Sequence, residues 1–301
     1  MPLRYRPLRY GLSLPEVIVV ISLLSVIGAA VGSAILHQQR FHRDASALLD
    51  ARQGVRDAME VLSGDIRGSS PDDTLRLMAD SALELFTTIG TSVSCRSASG
   101  SAIYLAAESV SGNTLTSFLL TPDTGDLVLL FRTTGEESAG SWERHRVAAF
   151  AGRSNRPGCF SDGGSPAEGF LLTLQKPPDP AVRPGTPIRF IRRVRYSLYR
   201  TSDAQWFLGY RRCNALGPSV CGGIQPVSGP YQRYSADEAQ TGFLFEYFAA
   251  GGERLASGVP PLSVARIDIT ARARRMRGVT PRTTGPAPLE SATASIALRN
   301  R

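Results

Sequence analysis

The chain reads as an α+β protein in which one long N-terminal α-helix, membrane-spanning in its first part, packs on an antiparallel β-sheet-rich domain. Three observations lead there. Val17 to Leu36 carries no charged residue, and at the helical rise such a run spans about 30 Å, the thickness of a bilayer core. From Gln38 to Arg67 apolar residues recur at helical spacing among charged ones. After Ser70 the period drops to two, or to short apolar runs bounded by turn residues.

Residues 1–11 form a short basic leader, with Arg4, Arg6 and Arg9, no acid, and Gly11 at its end. Residues 12–36 are the expected membrane helix. Pro15 falls in its first turn, where a missing backbone N–H costs little. Glu16 is the odd member, because an unpartnered carboxylate at the start of a membrane helix is expensive and normally marks a function. Gly28 and Gly32 make a G-x-x-x-G pair, a pattern that permits close helix packing.

Residues 37–68 continue the helix as an amphipathic segment, with Leu48, Leu49, Val55, Met59, Leu62 and Ile66 as the apolar stripe, and Gly68-Ser-Ser-Pro71 ends it. Residues 69–301 form the β-rich domain. Its candidate strands are 83–88, 102–106, 115–121, 127–132, 169–174, 190–199, 205–211, 241–247, 263–274 and 293–298. Two alternations are clean. Val194, Tyr196 and Leu198 interleave with Arg193, Arg195 and Ser197; Ile267, Ile269, Ala271 and Ala273 interleave with Arg266, Asp268, Thr270, Arg272 and Arg274. Each predicts an antiparallel strand with one wet face. Residues 119–127 read as a hairpin turn. Two proline-rich stretches, 176–187 and 277–288, read as surface connections.

The net charge is +8, of which the leader supplies three, leaving 8 − 3 = +5 for the rest. The excess is almost wholly arginine, scattered among apolar residues rather than clustered, so no nucleic-acid partner is expected. The basic leader holds the N-terminus in the cytoplasm and places the remainder on the far side of the membrane. There Cys95, Cys159, Cys213 and Cys221 predict disulfides, with three connectivities open. The loop-like 214–220 favours Cys213 with Cys221, which leaves Cys95 with Cys159. No C-x-x-C occurs, and His37, His42 and His145 fit no ligand pattern, so no metal is expected.

Catalytic motifs are likewise missing. Asp123-Thr124-Gly125 matches the aspartic-protease tripeptide, but that chemistry needs two carboxylates sharing a proton and no second copy exists. Asp72-Asp73 and Asp237-Glu238 lack a calcium-ligand pattern. The expectation is a protein that is not an enzyme and takes no cofactor or small molecule.

Gly11-Leu-Ser-Leu-Pro-Glu16, set between a basic leader and an apolar helix, resembles the processing site of type IV prepilins and type II secretion pseudopilins. The resemblance implies a pilin-like fold and cleavage after Gly11 by a prepilin peptidase. It also implies N-methylation of the new terminus Leu12, where the family usually has phenylalanine, and an assembly role for Glu16. Glu16 would then meet the terminal amine of a neighbouring subunit. Arg195 to Tyr199, Trp206 to Arg211, Gly242 to Phe248, Val264 to Ile269 and Ala297 to Arg301 are similar to strand blocks of J-type pseudopilins and W-type minor pilins. The implied protein is a minor subunit at the tip or priming complex of a pseudopilus or pilus, seated in the inner membrane with other pilins or pseudopilins as partners. The competing expectation is a membrane-anchored or secreted β-domain adhesin with a conventional export signal, for which Val31-Gly-Ser-Ala34 offers a small-residue cleavage site.

Overall fold

The computed structural model describes residues 13–69, 77–110, 112–132, 140–155, 159, 168–178, 182–256, 263–273 and 290–298. They divide into two units, with 13–50 in one and the residues from Ala51 onward in the other. A single helix, α1 (Leu14–Gly68), belongs to both.

In the first unit α1 is exposed along its apolar length, from Leu14 at 79 % to Leu49 at 62 %. In the second unit one face of α1 is buried, and it is built from small residues as much as large ones: Ala51, Gly54, Val55, Ala58, Leu62 and Ile66. Of the expected stripe, Val55, Leu62 and Ile66 are covered, Leu48 and Met59 are half-buried, and Leu49 faces out. The small residues have a reason. A Cβ on Gly54 would lie 3.2 Å from the Gly229 carbonyl oxygen, so helix and sheet backbones approach closely there. The Tyr231 hydroxyl uses that proximity and donates to the Gly54 carbonyl at 2.8 Å.

Among the described residues fifteen strands follow: β1 (Leu77–Met78), β2 (Ala82–Val93), β3 (Ala102–Ala106), β4 (Ser109–Val110), β5 (Asn113–Thr114), β6 (Ser117–Phe118), β7 (Leu127–Arg132), β8 (Ser141–Asn155), β9 (Glu168–Leu174), β10 (Pro187–Arg200), β11 (Trp206–Arg212), β12 (Gln225–Tyr231), β13 (Phe243–Phe248), β14 (Arg266–Arg272) and β15 (Ser291–Ala297). Every strand pair is antiparallel.

The large sheet forks at β10. One edge of β10 pairs with β2 along almost its whole length, from Pro187–Val93 to Ser197–Ala82. The other edge is shared, with β7 taking Ile188 to Ile191 and β11 taking Val194 to Arg200. From β7 the sheet runs through β8 and β9 to β3. There Leu105 bridges back to Ser94, and the Cys95 N–H donates to the Tyr104 carbonyl at 2.8 Å. The ring β2–β10–β7–β8–β9–β3 is therefore closed, which removes the open edges that a flat sheet would leave. Ile89, Ile103, Leu105, Val128, Leu130, Val147, Leu172, Ile188 and Phe190 fill its interior. The β11–β12 branch leaves the ring, and β13–β14–β15 form a separate sheet.

Two expectations are corrected here. Residues 119–127 are no hairpin: β6 pairs with β2, whereas β7 pairs with β8 and β10, so the segments flanking the turn are not partners. The turn itself is present, closed by the Asp126 N–H on the Asp123 carbonyl, with Gly125 supplying a φ of +88°. The wet face expected on β10 is covered in part: Arg193 is only 5 % exposed, and Arg195 and Ser197 are half-buried. On β14 the inward face is as expected, with Ile267, Ile269 and Ala271 buried and Ala273 buried just beyond it, but Thr270 on the opposite face is buried as well.

Candidate functional site

Ser13 is the N-cap of α1. Its carbonyl accepts the Glu16 N–H at 3.0 Å and the Val17 N–H at 3.2 Å. The Glu16 carboxylate turns back and accepts the Ser13 N–H at 3.4 Å. This is the return half of a capping box, in which an N3 glutamate satisfies the N-cap backbone donor. The signature S-x-x-E was visible in Ser13-Leu-Pro-Glu16 and supplies Glu16 with a role inside its own helix. A negative charge at N3 also suits the positive end of the helix dipole.

Beyond the cap, α1 contains one window apolar and long enough to cross a membrane, with mean hydropathy 2.5 and none of it buried by the rest of the protein. The polar side chains in this stretch turn inward on the helix backbone. Ser22 donates to the Ile18 carbonyl, Ser25 to Ile21 and Ser33 to Ala30, each at 2.8 Å. Hydroxyls satisfied in this way can face hydrocarbon without leaving an orphan donor. Gly28 and Gly32 have nothing within 4 Å of where a Cβ would stand, so that side of the helix is open to an approaching surface. Gly11 and Leu12 lie outside the described residues.

In the β-domain the cysteines pair Cys95 with Cys159 and Cys213 with Cys221. The second bridge closes a loop that lies over an ion cluster. Glu84 of β2, fully buried, receives Arg193 Nε at 2.6 Å on one oxygen, and Arg195 Nε at 2.8 Å and the Ser219 hydroxyl at 2.7 Å on the other. Arg193 also donates to the loop carbonyls of Asn214 and Gly217, both at 3.1 Å. Burial alone would raise the Glu84 carboxyl, but hydrogen bonds from Ser219, Arg195 and Arg193 outweigh it and hold the group below its ordinary value. The Glu84 carboxylate and the sulfurs of Cys213 and Cys221 lie within 4.8 Å of one another. The sulfurs are joined to each other and the carboxylate is filled by arginines, so this group is a covalent and ionic clasp rather than a set of metal ligands.

A second cluster occupies the Asp123–Asp126 turn. Asp126, 2 % exposed, takes Arg192 in a forked pair at 2.9 and 2.7 Å and Arg212 at 3.0 Å. Arg212 reaches Asp123 as well, at 2.7 Å, and that hydrogen bond is the main reason the Asp123 carboxyl sits below its usual range. The tripeptide Asp123-Thr-Gly125 is thus a turn tied down by two arginines, which the spacing of the sequence did not reveal.

Comparison with protein-family models, curated protein sequences and solved structures finds no match to this chain.

Proposed function

We propose that this protein is a minor pseudopilin or minor pilin, processed after Gly11 and assembled through its N-terminal helix into the tip or priming complex of a type II secretion pseudopilus or type IV pilus. The observation that carries the reading is the run from a basic leader through Gly11 and Glu16 into an apolar helix exposed up to Leu36. That helix is continuous with the one whose far end belongs to the β-domain core. A processed N-terminus one residue ahead of the Ser13 cap would place a cationic amine at the helix start. Glu16 of an adjacent subunit would be its counter-charge in a medium that penalises either ion alone. The role is structural, with the β-domain on the exported side selecting partners.

The capping interaction favours a second reading, a membrane-anchored or secreted adhesin-type β-domain, because Glu16 then needs no neighbour. One experiment separates them. Mass spectrometry of the native protein is expected to find N-methyl-Leu12 at the terminus, and Gly11→Val is expected to leave the precursor uncut. A chain beginning at Met1, or near Ile35 after small-residue cleavage, would reject the pilin reading.

A further inference from the structure

A cleft of about 470 Å³ opens in the β-domain between the Asp123–Asp126 turn, β8, the residue following β9, and the Cys213–Cys221 loop. Its charges do not balance. Asp126 is filled by Arg192 and Arg212, and Asp123 by Arg212 and the Thr124 N–H. Arg146, on β8, lines the same cleft. Among the described residues no hydrogen bond or ion pair reaches its guanidinium, and its Nε is shut off from solvent with no acceptor. Three arginines therefore meet two carboxylates, and the surplus cation is Arg146.

We propose that this cleft binds a carboxylate, received by Arg146, with a small aliphatic group attached to it. A guanidinium presents parallel N–H donors matched to the two oxygens of a carboxylate, and in a recessed site that forked pair is stronger than a neutral contact. Gln175 adds an amide to the same wall. Ala215, Val220 and Cys213 of the disulfide form the other wall, a small apolar surface that suits an aliphatic group such as an alanine or valine side chain. The turn acids do not compete for Arg146, because Asp123 already holds Arg212 and Asp126 holds Arg192 and Arg212. The ligand class is a peptide carboxylate, which a free C-terminus or a glutamate side chain could supply. The inference does not depend on how the N-terminal helix functions.

Isothermal titration calorimetry on the full chain in detergent tests it with three probes: acetyl-Ala-Val as free acid, the same dipeptide as amide, and acetyl-Ala-Glu-Ala-amide. The free acid is expected to bind saturably and the amide not at all. Binding of the glutamate peptide with equal or greater affinity assigns the carboxylate to a side chain; weaker binding assigns it to a C-terminus. Arg146→Met keeps the aliphatic stem and removes the charge, and should weaken binding about tenfold or more. Val220→Trp changes a residue that is 68 % exposed and touches no ion pair, so it should block the cleft without disturbing the fold. Equal binding of acid and amide, no saturable binding of either carboxylate probe, or undiminished binding by the folded Val220→Trp chain would overturn the proposal.

Discussion

Tyr196, at the middle of the sheet, donates its hydroxyl to the carboxylate of Asp65 on α1. Asp65 also accepts the Thr87 hydroxyl at 2.8 Å, so one helical acid is held by side chains of β10 and β2 together. Burial is the largest influence on Asp65 and raises its carboxyl despite both hydrogen bonds. Burial, with Asp65 beside it, pushes the Tyr196 phenol well above its ordinary value.

Tyr196→Phe leaves Asp65 with a single donor in a covered site, which should cost about 1–3 kcal/mol. Urea denaturation measures it, and a loss within error of zero would mean that water replaces the phenol. The pH dependence carries a sign. A carboxyl raised on folding binds its proton more tightly in the native state, so its contribution to stability grows as pH falls through the folded value toward 3.8. Wild type should therefore gain stability relative to Asp65→Asn on acidification over that range.

Glu84 predicts the opposite slope. Its carboxyl is lowered on folding, so its contribution is complete above the ordinary 4.5 and disappears as pH falls through the depressed folded value. Glu84→Gln should show no such acid loss. At neutral pH it should be less stable by about 3–5 kcal/mol, because Arg193 and Arg195 lose their counter-charge in a covered site. A variant as stable as wild type would show that the loop carbonyls suffice for Arg193 and the Ser219 hydroxyl for Arg195.

Gly54 measures how closely α1 lies on the sheet. Alanine gains helix propensity but places a methyl at a tight 3.2 Å from the Gly229 oxygen, so the two effects should nearly cancel. Leucine cannot be accommodated and should cost about 1–3 kcal/mol or more through overpacking. If thermal unfolding of Gly54→Leu matched wild type, the close approach would be wrong.

These residues show what was legible in the sequence and what was not. The helix, its end at Gly68 and strand β14 carry their own periodicity. Strand β8 was invisible because only Val147 of its fifteen residues is buried, so no apolar alternation marks it. Its length comes from serving β7 up to Arg146 and β9 from Val147 onward, and both pairings are properties of the ring. Strand β12 was hidden by Pro226 and Pro230, which read as breakers and are tolerated at the end of a sheet branch. Arg193 of β10 read as solvent-facing because its acid, Glu84, lies 109 positions away in the chain, and pairing at that distance leaves no local pattern. The Ser13–Glu16 cap does carry a local signal, S-x-x-E at a spacing of three, which the reading of Glu16 as an assembly residue passed over.

Reduction of Cys213–Cys221 should loosen the lid of the Glu84 cluster as well as open a loop. Cys213→Ser with Cys221→Ser removes a short closed loop, worth about 2–3 kcal/mol through the unfolded chain. The same change frees Ser219 and the carbonyls of Asn214 and Gly217, so the loss should exceed the loop term. The excess should shrink when Glu84→Gln is already present, a coupling that a double-mutant cycle reads directly. Strict additivity would show that the loop and the ion cluster are independent.

Glu16 has two candidate roles, cap and counter-charge, and they respond differently to one conservative change. Glutamine keeps a side-chain oxygen at N3 and so preserves the capping-box geometry, but it removes the charge that a neighbour's amine would require. Ser13→Ala does the reverse, removing the hydroxyl of the cap residue while leaving the charge. Leucine at position 16 removes both functions and makes the membrane segment more apolar, so anchoring itself should be kept or improved. If assembly depends on the charge, Glu16→Gln and Glu16→Leu should both be processed, stable and membrane-bound yet lost from complexes with partner pilins, while Ser13→Ala still assembles. If the carboxylate serves only its own helix, Glu16→Gln should assemble as wild type does, and Ser13→Ala and Glu16→Leu should fray the first turn by about 0.5–2 kcal/mol. Co-purification of partner subunits with each of the three variants decides between them, and normal assembly by Glu16→Gln would remove the pairing role from this subunit.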